Sequence, residues 1–66
     1  MKAKPYNRSF FHGDLIHVED LGYFMIVGIE QEYYKYFRFS DQQVYTCLKE
    51  GLEQNYSRQV FLVKRI

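Results

Sequence analysis

Apolar and polar side chains alternate along most of this chain, in short runs separated by turn residues, which is the pattern of half-buried strands rather than of helices. Phe10-Phe11-His12-Gly13-Asp14 carries a turn signal, and Leu15-Ile16-His17-Val18-Glu19 after it reads as a first strand. Asp20-Leu21-Gly22 breaks that strand. Tyr23-Phe24-Met25-Ile26-Val27-Gly28-Ile29-Glu30 is the most apolar segment, and its eight residues are a strand's length. Met25, Val27 and Ile29 fall on one of its faces and Phe24, Ile26 and Gly28 on the other, with Gly28 expected to mark a bend or bulge. Gln31-Glu32 forms the next turn, and Tyr33-Tyr34-Lys35-Tyr36-Phe37-Arg38-Phe39-Ser40 alternates as a third strand. Lys35, Phe37 and Phe39 share one face of it, and Tyr34, Tyr36 and Arg38 the other. The purer hydrocarbons assign Phe37 and Phe39 to the core, which leaves Tyr34, Tyr36 and Arg38 facing out.

Residues 40–56 admit two readings. Ser40 with Gln43 resembles a capping box, and Val44, Cys47, Leu48, Leu52 and Tyr56 fall at helical spacing. Against a helix, Val44-Tyr45-Thr46-Cys47 holds none of the strong helix formers, and Gly51 interrupts the stripe at a cost of roughly 1 kcal/mol. The favoured reading is a turn at Asp41-Gln42, a fourth strand over Gln43–Leu48 and one helical turn around Gly51–Asn55. Arg58–Ile66 then closes the chain as a fifth strand. Residues 1–9 read as a flexible basic N-terminal segment and residues 10–66 as the domain. The expected core is Ile16, Val18, Met25, Val27, Ile29, Phe37, Phe39, Leu48, Leu52, Phe61 and Val63.

Three stretches carry a family resemblance: Gly13-Asp14-Leu15-Ile16-His17-Val18, then Gly22-Tyr23-Phe24-Met25-Ile26-Val27-Gly28-Ile29, and Leu52-Glu53-Gln54-Asn55-Tyr56 ahead of the last strand. Together they resemble the opening and closing of small bacterial and phage SH3-like barrel proteins of KOW-like and Tudor-like type. The resemblance implies an all-β, five-stranded SH3-like barrel with one short helical turn before the last strand. It departs from the eukaryotic SH3 pattern, because the chain has no Trp and only Asp20-Leu21-Gly22 after the first strand. Polyproline binding is therefore not implied, and fold alone does not give function.

Composition sharpens this picture. The chain's 66 residues leave room for one small domain, which excludes a two-lobed enzyme or a dinucleotide-binding unit. Seven Tyr and six Phe make 20% of the chain, enough for a few rings to compensate for a thin core. One cysteine, Cys47, allows no internal disulfide and suits a reducing cytoplasm. The first residues lack the apolar stretch of a signal peptide, and no apolar run approaches the roughly 18 residues of a membrane span. Net charge is only +1, yet all eight acids lie within residues 14–53 beside three bases, a local balance of −5. Lys2, Lys4 and Arg8 precede that acidic middle, and Arg58, Lys64 and Arg65 follow it.

Candidate chemistry is sparse. His12, His17 and Cys47 are the only soft metal ligands, without the paired spacing of a zinc site, so neither a metal nor a cofactor is expected. Cys47 has no base placed beside it by the sequence, Glu30 and Glu32 bracket a turn, and no Gly-Lys-Ser/Thr phosphate loop is present. No catalytic residue is assigned. What remains is aromatic and basic. Tyr34, Tyr36 and Arg38, or Tyr6, Arg8, Phe10 and Phe11, could stack bases or anchor a protein partner. The expected function is a non-enzymatic binding module, a bacterial or phage accessory or regulatory protein acting through another protein. The alternative is a nucleic-acid patch of Lys2, Lys4, Arg8, Arg58, Lys64 and Arg65, with Tyr6, Phe10 or Tyr56 stacking on unpaired bases.

Overall fold

The computed structural model describes residues 9–56 and 58–65. Five strands and one short helix follow in order: β1 (Leu15–Val18), β2 (Gly22–Ile29), β3 (Tyr33–Arg38), β4 (Gln43–Leu48), α1 (Lys49–Gln54) and β5 (Val60–Lys64). All five strands run antiparallel in one sheet of order β4-β3-β2-β1-β5. This is the all-β architecture that the alternation predicts, and Gln43–Leu48 is a strand, not part of a helix. Barrel closure is not seen, because β4 and β5 are the two edges of the sheet and do not pair with each other.

Local chemistry sets the turns. Leu21 N–H donates to the Val18 carbonyl at 2.9 Å, and Gly22 continues at φ 96°, a conformation that costs a glycine little. The β3–β4 turn closes with Gln42 N–H on the Arg38 carbonyl at 2.7 Å, with Gln42 itself at φ 59°. The β2–β3 register shifts between Ile26 and Gly28, which is the bulge expected at this glycine. A Cβ there would stand 3.2 Å from the Lys35 side chain. Asn55 ends α1 and starts β5: its side-chain amide donates to the Gly51 carbonyl, and its own carbonyl accepts from Arg58, Gln59 and Val60 N–H.

The core lies on one face of the sheet. Phe10, Ile16, Val18, Phe24, Ile26, Tyr34 and Val60 are buried, with Tyr36, Cys47, Leu52, Tyr56 and Leu62 packed against them. Phe10 stacks on Tyr56 at 5.3 Å and meets the edge of Tyr34 at 5.8 Å, while Phe24 stacks on Tyr36 at 4.4 Å. Aromatic pairs of this kind add about 0.5–1.5 kcal/mol each beyond the area they bury.

Ile16, Val18 and, in part, Leu52 take the core positions expected of them. On the other strands the faces are reversed. Met25 and Val27 are only half-buried, as is Phe37, and Ile29, Phe39, Leu48, Phe61 and Val63 are exposed. The registers give the reason. Ile16 opposes Phe24 on β2 and Leu62 on β5, and Ile26 opposes Tyr36 on β3. Residues directly opposite share a face, so burying Ile16 buries Phe24 and Leu62 and turns Met25 and Phe61 outward. Tyr34 and Tyr36 are therefore inside. Tyr34 is tolerated there because its hydroxyl is satisfied: it accepts Phe10 N–H at 2.9 Å and donates to the Glu53 carboxylate.

Candidate functional site

The reversal leaves the second face of the sheet apolar, and among the described residues none covers it. Strand registers assemble it into two adjacent rows. His17 opposes both Phe61 and Tyr23, and Phe39 N–H donates to the Tyr23 carbonyl at 3.2 Å, so one row reads Phe61, His17, Tyr23, Phe39. Met25 opposes Leu15 and Phe37, and Phe37 opposes Val44, so the next row reads Leu15, Met25, Phe37, Val44. The rows span all five strands. Edge-to-face contacts tie them, His17 on Tyr23 at 4.8 Å and Phe37 on Phe39 at 5.1 Å.

On β1 to β4 neither row holds an acid, lysine or arginine, and on β5 the second row meets Lys64. Lys35, one step further along β3, forms an ion pair with Glu30 at 3.1 Å, and Lys64 opposes Leu15 at the other side, so charge is confined to the rim. Tyr23 is 50% exposed, Phe39 44%, Val44 58% and Phe61 42%. With whole aromatic side chains at 150–250 Å², the four most exposed members alone leave roughly 350 Å² open. That lies in the range of the largest patches on ordinary monomers, which are often functional, and is about half of the roughly 800 Å² per partner of a specific interface. Aromatic and Met enrichment with charge depletion at the centre is the composition of an interface core.

A cleft of about 230 Å³ opens on the other face, lined by Val18, Leu21, Phe24, Tyr36, Cys47, Leu48, Gly51, Leu52, Asn55, Gln59 and Val60. Neither histidine, carboxylate nor amine lines it. Burial pushes the Cys47 thiol above its ordinary pKa, away from the thiolate a nucleophile needs. This cleft can hold an apolar group, and its titratable side chains are the Tyr36 phenol and the Cys47 thiol, both pushed above their ordinary pKa by burial. Among the described residues no three His, Cys, Asp or Glu side chains gather in a metal-binding arrangement.

The residues singled out in the sequence are placed as follows. Tyr34 is 1% exposed and Tyr36 packs against the core, so the outward display expected of them is corrected. Arg38 lies on the same face, donating to Asp41 at 2.8 Å and lying over the Tyr45 ring at 4.9 Å. Tyr45 also donates to Asp41. These contacts hold the Asp41 carboxyl below its usual pKa, Tyr45 first and Arg38 second. Phe10 is core, not a free stacking ring, and Phe11 lies under the Arg65 guanidinium at 4.7 Å.

Lys2, Lys4, Tyr6 and Arg8 lie outside the described residues. Arg58 and Lys64 are exposed but stand at opposite ends of β5, roughly 15–20 Å apart at strand rise. Arg65 grips the buried Asp14 carboxylate with two hydrogen bonds, at 2.9 and 2.8 Å. The structure therefore does not merge the three described cations into one patch. Sequence reasoning missed Tyr23, Phe39 and Phe61 as surface residues. One signal was present: Lys35 shares the face of Phe37 and Phe39, and a lysine marks a wet face.

Comparison of the chain with protein-family models, curated proteins and solved structures finds no match.

Proposed function

We propose that this chain is a small non-enzymatic binding module acting through protein–protein interaction, with the outer aromatic face of its sheet as the contact surface. The observation that carries the reading is the pair of rows across the sheet, free of charge on β1 to β4, on the side that the described residues leave uncovered. A sheet with two apolar faces needs a layer on each, and the described residues supply one. Tyr23, Phe39 and Phe61 are the anchors, since rigid rings give large contact area at small entropic cost. The small size and aromatic excess suit an accessory protein of a bacterium or phage, and the single Cys47 suits a reducing cytoplasm.

Charge favours a protein over a nucleic acid. Asp14 neutralises Arg65, and Arg58 and Lys64 stand at opposite ends of β5 rather than together in one dense patch. The test is retention on the immobilised protein at two salt concentrations, with the retained material identified as protein or nucleic acid. An apolar contact is expected to retain protein at both, since salt screens charges and strengthens apolar association. Retention of nucleic acid alone, lost as salt rises, would overturn the reading in favour of the basic residues.

A further inference from the structure

The two edges of the sheet are built differently. β5 breaks its register with β1 between Leu15 and Ile16, and it carries Lys64 with Arg65 behind it. Bulges and cations are the devices that keep an edge strand from pairing with another chain. β4 has neither. Its six residues, Gln43 to Leu48, include no charge, proline or glycine, and its register with β3 is unbroken. Val44, Tyr45 and Thr46 at its centre are strong strand formers.

The direction of its free backbone groups follows from the ladder. Lys49 N–H donates to the Glu32 carbonyl at 2.9 Å, one step beyond the Tyr33–Leu48 pair. Hydrogen-bonded pairs alternate along an antiparallel ladder, so Tyr34–Cys47, Tyr36–Tyr45 and Arg38–Gln43 exchange the bonds. Val44 and Thr46 then turn their N–H and C=O groups away from β3, toward the open edge. Both side chains are exposed.

The geometry points to antiparallel pairing of β4 with β4 of a second copy, about a two-fold axis at Tyr45. In that register Val44 of each copy opposes Thr46 of the other, and the outward groups of both are satisfied in reciprocal pairs. A parallel arrangement would break the symmetry that closes a dimer. The product is one continuous ten-stranded sheet that leaves both outer aromatic faces free. The inference is independent of the function proposed for those faces.

Sedimentation equilibrium over a concentration series tests it. The wild type is expected to reach twice the 8.1 kDa of the chain. Thr46→Pro removes only an outward N–H, and Val44→Lys places a cation on the edge; both are expected to stay folded by circular dichroism and to sediment as monomers. Tyr23→Thr with Phe61→Thr, on the outer face, is expected to leave the dimer intact. A wild type that stays monomeric at millimolar concentration overturns the proposal. So does a dimer that survives the edge substitutions, or one lost only on changing the outer face.

Discussion

Tyr34→Ala is expected to unfold this protein, whereas Phe39→Thr is expected to change its stability by less than about 1 kcal/mol. Tyr34 sits at the meeting point of three segments: its hydroxyl joins Phe10 to Glu53, its ring meets Phe10, and Lys49 lies 5.6 Å above it. Truncating a buried aromatic to Ala costs about 3–5 kcal/mol, and leaving a buried N–H unpaired adds about 1–3. A chain of this length has a total stability of roughly 3–10 kcal/mol. Phe39, half exposed, has little to lose. Tyr34→Phe, which keeps the ring, is expected to fall between them. It also carries a pH signature. Burial, and after it the hydrogen bond to Glu53, pushes the Tyr34 phenol up to about 12. A phenol raised on folding contributes stability that is complete below its ordinary pKa near 10 and is lost as pH climbs toward the folded value. Urea titrations should therefore show the wild type weakening between about pH 10 and 12, and Tyr34→Phe weakening less. Equal loss in Tyr34→Ala and Phe39→Thr would mean the faces are assigned the wrong way round.

Asp14 is the second place where a large effect is expected. Its side chain is buried, accepting from Arg65 twice and from Phe11 N–H at 2.8 Å. Its backbone carbonyl accepts Ile26 N–H at 2.9 Å, so the carboxylate anchors the chain where it enters the sheet. Asp14→Ala removes the partner of a backbone donor and should cost about 1–3 kcal/mol. Arg65→Ala leaves the buried carboxylate without its counter-ion, so its damage should be greater at neutral pH than near pH 3, where protonation removes the charge. Burial alone would raise the Asp14 pKa, but the Arg65 hydrogen bonds, Phe11 N–H and the Arg65 charge outweigh it and leave it lowered. The stability this supplies is present above the ordinary Asp pKa near 4 and is lost as pH falls through the folded value. Asp14→Asn should flatten that acid limb in thermal melts taken from pH 5 to pH 2. An unchanged limb would place the acid sensitivity elsewhere, at Asp41 for instance.

The elements of the fold were legible because period-two alternation and turn residues are local signals. Each of the five strands and the helical turn lies where the pattern places it. Which face is buried was not local. Tyr33–Ser40 has aromatics on both faces and a cation on each, Lys35 on one and Arg38 on the other, so hydrocarbon purity could not decide between them. Two non-local facts decide it. The turn after β1 closes Val18 on Gly22, which sets Ile16 against Phe24 and puts Ile26, and Tyr36 opposite it, on the same face. The Tyr34 hydroxyl finds Phe10 N–H and Glu53, which are 24 and 19 residues away in the chain. The outer face was thus read residue by residue yet turned inward, and the same alternation, inverted, gives the candidate surface.

The most direct measurement compares three folded forms of the protein as bait: wild type, Tyr23→Thr with Phe61→Thr, and Arg58→Ala with Lys64→Ala. Matched thermal melts first establish that neither pair of substitutions disturbs the domain. Quantitative mass spectrometry then reads the proteins retained by each. If the outer face is the contact surface, a protein held by the wild type is held equally by the Arg58 and Lys64 form. The same protein falls at least 100-fold with the Tyr23 and Phe61 form, two interface anchors at about 2 kcal/mol or more each. Undiminished retention by the Tyr23 and Phe61 form, with loss in the Arg58 and Lys64 form, would contradict the account.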